Sequence, residues 1–124
     1  MKKSPTNFVK LITIALSMLL LSACGGTKTI PLTIQSDPLG AHVALQVNSS
    51  VKGTPKEWIY LGKTPLDIKR KINTKQLKNA QAFRFKMMKD GYSDQIRDWN
   101  GKDIKSELRE KGHIFWNPKM VPSN

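Results

Sequence analysis

The chain has 124 residues, one cysteine, and 21 Lys+Arg against 9 Asp+Glu, a net charge of +12. One cysteine excludes an intrachain disulfide framework, and the length bounds the chain to about one domain. The basic excess speaks to partners and solubility, not to fold.

The first stretch has the layout of an export signal. Lys2, Lys3 and Lys10 precede an eleven-residue apolar run, Leu11 to Leu21, with no acid before it. That run is too short to span a bilayer, which takes roughly 20 residues, but it suits a secretory leader. Ser22 and Ala23 are small, Cys24 follows, and Gly25 and Gly26 oppose continuation of a helix. Leu21-Ser22-Ala23-Cys24 resembles the lipobox of bacterial lipoproteins. The resemblance implies cleavage between Ala23 and Cys24, diacylglycerol on the Cys24 thiol, and acylation of the new amino group with a palmitate-type chain. The alternative is an ordinary cleaved leader with an incidental cysteine. A redox role for Cys24 lacks a second cysteine. Two or more acyl chains hold a protein stably on a membrane without a spanning helix. In the lipoprotein family, Asp directly after the cysteine tends to retain the protein in the inner membrane. Gly25 stands there, so the outer membrane is favoured if the host is Gram-negative.

Removal of residues 1–23 leaves 101 residues with 18 basic and 9 acidic side chains, +9. Nucleic acid is a poor partner for an exported lipoprotein. Anionic lipid, lipopolysaccharide, wall polymers and acidic protein faces remain. Residues 24–28 read as a short lipidated tether; Gly25 to Lys28 reach at most ~14 Å.

From Thr29 the apolar period becomes two. Ile30, Leu32 and Ile34 alternate with Pro31, Thr33 and Gln35, a half-buried strand in which Pro31 predicts an edge or an irregular start. Ser36-Asp37-Pro38-Leu39-Gly40 is turn chemistry. Ala41, Val43, Leu45 and Val47 then mark the clearest strand, with His42, Ala44 and Gln46 on its other side. Asn48 to Lys56 reads as a loop, Trp58 to Leu61 as a short strand, and Gly62-Lys63-Thr64-Pro65 as a second turn. Leu66, Ile68 and Ile72 alternate with Asp67, Lys69 and Lys71; Arg70 falls on the apolar side, so it must reach an edge or the register must shift. Asn73 to Gln81 is a polar connection with room for a helical turn. Phe83, Phe85 and Met87 share one face of the next strand, with Arg84, Lys86 and Met88 on the other. After Lys89-Asp90-Gly91, a weaker strand runs from Tyr92 through Ile96 to Trp99. Asn100-Gly101 is a hairpin-turn signal. Residues 103–111 fit either a short helix, with Asp103 as cap and Gly112 as stop, or a charged edge strand. His113 to Trp116 is a last strand, followed by a tail with two prolines. Six or seven short strands separated by close turns predict a small all-β sandwich or barrel.

Three of the turns carry a second resemblance. Ser36-Asp37-Pro38-Leu39-Gly40-Ala41-His42-Val43 resembles the opening of the PEGA domain, with Leu39 where that family has Glu. Leu61-Gly62-Lys63-Thr64-Pro65-Leu66 resembles its Gly-x-Thr-Pro turn, and Lys89-Asp90-Gly91-Tyr92 its Lys-x-Gly-Tyr turn. The resemblance implies a β-sandwich over residues 29–97 of the kind found on bacterial envelope proteins, with no catalytic residues. Residues 98–124 form a C-terminal extension packed on the same domain. The interval from Val47 to Trp58 is longer than a tight hairpin and reads as an insertion.

Catalytic and cofactor chemistry finds no pattern, and neither an enzyme activity nor a cofactor is expected. Gly62-Lys63-Thr64 lacks the upstream glycine of a phosphate loop and leads into a strand. Ser, His and Asp occur without a nucleophile elbow. His42 and His113 have no metal-ligand spacing and read as surface or strand residues. Asp98 to Asp103 fails calcium-loop spacing and reads as the hairpin turn. Trp58, Trp99 and Trp116 read as packing, with sugar stacking as the alternative.

The basic segment is the candidate site. From Lys63 to Lys89 there are nine Lys+Arg and one acid, Asp67. If the two strands pair in one sheet, Lys69, Lys71, Arg84 and Lys86 share an exposed face that an anion would relieve. The plain alternative is a solvated basic surface. The sequence thus leads to a lipid-anchored, non-enzymatic envelope protein. Its sandwich would bind an anionic envelope component or a partner protein. A rival reading is an accessory subunit of an envelope assembly, in contact through the tail and Trp99 to Trp116.

Overall fold

The computed structural model describes residues 26–124. The expected leader, the lipobox-like Leu21-Ser22-Ala23-Cys24 and the lipidation expected at Cys24 lie outside the described residues. No helix among those described is long and apolar enough to cross a membrane.

The described residues form a small β-sandwich with nine strands and two short helices: β1 (Thr27–Ile34), β2 (His42–Ser49), β3 (Ile59–Lys63), β4 (Leu66–Asn73), α1 (Thr74–Asn79), β5 (Ala80–Met88), β6 (Tyr92–Ser93), β7 (Gln95–Trp99), α2 (Gly101–Lys111), β8 (Ile114–Trp116) and β9 (Val121–Pro122). The first sheet has the order β4-β1-β8, the second β3-β2-β5-β7, and β6-β9 form a small ribbon. The named strands pair antiparallel except β1 with β8, which places Leu32 beside Ile114 and Ile34 beside Trp116.

Period-two alternation turns one row of each long strand inward. Ile30, Leu32 and Ile34 of β1 face Val43, Leu45 and Val47 of β2 and Phe83, Phe85 and Met87 of β5, all buried. Trp99 and Trp116 close one side of this core. The ring of Phe85 lies 5.2 Å from that of Trp99 at 88°, and the two tryptophans lie 6.2 Å apart at 85°. These are the edge-to-face arrangements that aromatic quadrupoles favour. Leu77 of α1 and Ile104 of α2 plug the core from the helices.

The strand axes define two poles. At the entry pole β1 begins, β4 ends in α1, β5 begins and β7 ends, as the pairs Thr27–Asn73 and Phe83–Trp99 require. At the opposite pole lie the three turns Ser36–Gly40, Lys63–Pro65 and Lys89–Gly91. Two of them are knitted together by Gly40 and Thr64: Gly40 N–H donates to the Thr64 carbonyl at 3.1 Å, and Thr64 N–H to the Ala41 carbonyl at 2.8 Å.

Three sequence expectations change. Pro31 does not mark an edge: β1 is the central strand of its sheet. Backbone donors alternate sides along a strand, and Gln35 N–H points to Trp116 of β8, so the position of Pro31 also faces the β8 side. Pairing with β8 begins only at Leu32, so the missing donor costs no ladder bond. Second, Asn100-Gly101 is not a hairpin turn but the start of α2. Asn100 accepts from Asp103 N–H at 2.8 Å and Asp103 reaches back to Asn100 N–H, a capping box. The cap is therefore Asn100, with Asp103 as its partner, and Gly112 ends the helix at φ 78°. Third, β1 starts at Thr27, two residues before the alternation at Thr29 suggests. Arg70 keeps the register of β4 and reaches solvent because β4 is an edge strand.

Candidate functional site

The four candidate cations do not share a face. β4 pairs with β1, whereas β5 pairs with β2 and β7. Lys69 and Lys71 project from the outside of the first sheet, opposite Pro31 and Thr29. Arg84 and Lys86 project from the outside of the second sheet, across the core. Alternation reveals which side of a strand a residue occupies, but not which sheet the strand joins.

Arg84 and Lys86 are also neutralised. The Arg84 guanidinium donates to both oxygens of Asp98, at 2.9 and 3.0 Å. That two-pronged hydrogen bond holds the Asp98 carboxyl below its ordinary pKa and raises that of Arg84. Lys86 lies 3.4 Å from Asp94. Both acids lie at or beside β7, whose pairing with β5 brings Asp98 opposite Arg84. In sequence both acids lie beyond the basic run that ends at Lys89, so the run itself gives no sign of them.

What remains on the outside of the second sheet is mainly aromatic and apolar. β2 presents His42, Ala44 and Gln46; Tyr60 of β3 and Lys86 of β5 flank Ala44, and Ile96 of β7 lies beyond Lys86. Tyr60 is 59% exposed, Ile96 57% and Trp58 42%. Lys86 Nζ sits 5.8 Å from the centre of the Trp58 ring, within cation–π range. His42 Nδ1 and the Tyr60 hydroxyl are 2.9 Å apart, which fixes the tyrosine ring at the sheet edge. Beside His42 an open concavity of about 290 Å³ is bounded by Met88, the Lys89–Tyr92 turn and Asp94. Chemically, this is a strip of exposed aromatic and apolar side chains with balanced charges at its flank. It can stack against a sugar ring or seat an apolar side chain of a protein.

The other tryptophans are core. Trp99 and Trp116 are buried, and Arg97 lies 4.3 Å over the Trp99 ring. The contact expected from Trp99 to Trp116 therefore reduces to Phe115 and Val121, which are exposed. His113 packs beside Phe115, 6.1 Å between ring centres. Among the described residues no three His, Cys, Asp or Glu side chains converge on a common point. Thr64 of the Gly62-Lys63-Thr64 turn points inward, where its hydroxyl accepts from Gly40 N–H at 3.0 Å and Ala41 N–H at 2.9 Å.

Comparison of the chain with protein-family models, with curated proteins and with solved structures finds no match in any of the three.

Proposed function

We propose that the chain is a lipid-anchored, non-enzymatic protein of the bacterial cell envelope, whose β-sandwich serves as a binding module. One observation carries the reading: the lipobox-like Leu21-Ser22-Ala23-Cys24 is followed almost at once by β1, which begins at Thr27. Acyl chains on Cys24 would hold the sandwich at a bilayer surface. The PEGA-like turns support the envelope assignment. Their Gly, Pro and Thr residues occupy turns at one pole and build the fold there, consistent with a resemblance that transfers architecture and no site. Outer-membrane placement follows from Gly25 in a Gram-negative host.

The test is intact mass and membrane fractionation of the natural protein beside Cys24→Ala. A mature mass beginning at residue 24 with added lipid, and loss of both lipid and membrane attachment in the variant, is the expected result. A lipid-free soluble product from the natural protein overturns the reading.

For the partner, the strip formed by Trp58, Tyr60 and Ile96 favours an envelope protein or a glycan on the second sheet. An anionic component such as lipid or lipopolysaccharide has Lys69 and Lys71 to meet, since Arg84 and Lys86 are held by acids of their own sheet. Salt separates the two, because a charge-led contact weakens steeply toward physiological salt and an apolar one does not.

A further inference from the structure

The chain enters the sandwich through a fastened joint. Thr74 donates both its backbone N–H, at 3.2 Å, and its hydroxyl, at 2.9 Å, to the carbonyl of Gly26. The next residue, Thr27, already pairs with Asn73. Cys24 stands two residues before this joint in sequence, and two residues span about 7 Å at most.

Around that joint the charge is mainly positive, with Glu57 beside Lys52 and Lys56 on the neighbouring β2–β3 loop. Lys28 follows β1's first residue, Lys71 lies two residues before the end of β4, and Lys75 and Lys78 stand on α1; all four are exposed. None of them forms an ion pair among the described residues. Residues 68–89 contain no Asp or Glu. Asp103 of the adjoining α2 is engaged in that helix's cap. The opposite pole is mixed: Lys63, Lys89 and Lys119 are there, with Asp37 and Asp90. Eight-residue β1 separates the poles by roughly 26 Å, well beyond the Debye length of ~8 Å at physiological salt.

We infer that the entry pole is the membrane-facing surface, with Lys28, Lys71, Lys75 and Lys78 resting on the phosphates of anionic phospholipids. The inference depends on the anchoring reading and adds an orientation to it. A free tether would let the domain tumble, but the Thr74–Gly26 joint keeps the entry pole next to the anchor. The strands then stand upright on the bilayer. The Trp58–Tyr60 strip looks sideways along the membrane, open to a neighbour, and the PEGA-like turns point away from it. Lys71 belongs to this surface; Arg84 and Lys86 of the sequence-based set do not.

The test uses the full chain, purified from membranes and weighed intact to establish lipid on Cys24. It is reconstituted into vesicles of phosphatidylcholine with or without phosphatidylglycerol. Its lysines are then modified with a water-soluble acylating reagent and read by mass spectrometry. Lys28, Lys71, Lys75 and Lys78 are expected to react several-fold more slowly when phosphatidylglycerol is present, while Lys63, Lys89 and Lys119 keep their rates. Equal rates at the two poles, with lipid on Cys24, overturn the orientation and leave the anchoring reading standing. Absence of lipid on Cys24 overturns both.

Discussion

Thr64 illustrates how much of one pole rests on a single hydroxyl. Ser36 Oγ donates its proton to the Pro38 carbonyl at 2.8 Å, so the proton shared between Ser36 and Thr64 comes from Thr64. The Thr64 oxygen then has two acceptor positions, and Gly40 N–H and Ala41 N–H fill them. Both side chains are buried, and every member is satisfied. Thr64→Val keeps the shape but strands the Ala41 donor and removes the partner of Ser36; Gly40 retains the Thr64 carbonyl. A loss of about 2–3 kcal/mol is expected, read by urea unfolding. Thr64→Ser, which keeps the hydroxyl, should lose clearly less; equal losses would mean that the methyl group matters and the network does not. The turn itself was legible in Gly62-Lys63-Thr64-Pro65. The role of Thr64 was not, because its partners lie more than twenty positions earlier and nothing local marks them.

At the scale of elements, α2 is where a local signal was outvoted. Asn-Gly favours a two-residue hairpin, yet the same asparagine is a good helix cap, and Asp103 three residues on completes the box. The glycine is explained by space. A Cβ on Gly101 would stand 2.0 Å from the Leu77 carbonyl oxygen, where α2 crosses α1. Gly101→Ala is therefore expected to destabilise the fold by about 3 kcal/mol, against about 1 kcal/mol for Asn100→Ala, both from thermal unfolding. A neutral Gly101→Ala would show that the helices can separate without cost. The long strands were legible because each buries one face only, as in Ile30–Leu32–Ile34 and Phe83–Phe85–Met87. Strand partnership was not. The charges on β4 and β5 looked like one patch from their alternation, and the pairing of those strands with different neighbours put them on opposite outsides.

For the whole molecule, the basic excess sorts by region: acids of its own sheet balance the outside of the second sheet, while the entry pole is left cationic. The tryptophans sort as well. Trp99 and Trp116 are enclosed, and Trp58 alone is open to solvent, so acrylamide should quench one component of the native emission, and Trp58→Phe should abolish that component. A native protein in which Trp58→Phe leaves quenching unchanged would place an exposed indole elsewhere. If a glycan occupies the strip, it should shift the emission of the natural protein and leave that of Trp58→Phe unmoved. The parallel pairing of β1 with β8 has a temporal meaning too. Leu32 is among the first residues of the domain to be made or exported, and its neighbour Ile114 is among the last. The outer flank of β1 stays unsealed until Ile114 to Trp116 arrive, and Trp116 then closes the aromatic cluster. Long-range closure of this kind is slow. A chain threaded outward from its amino end would thus remain open along its length for most of the journey, and would set only when its final strands emerge.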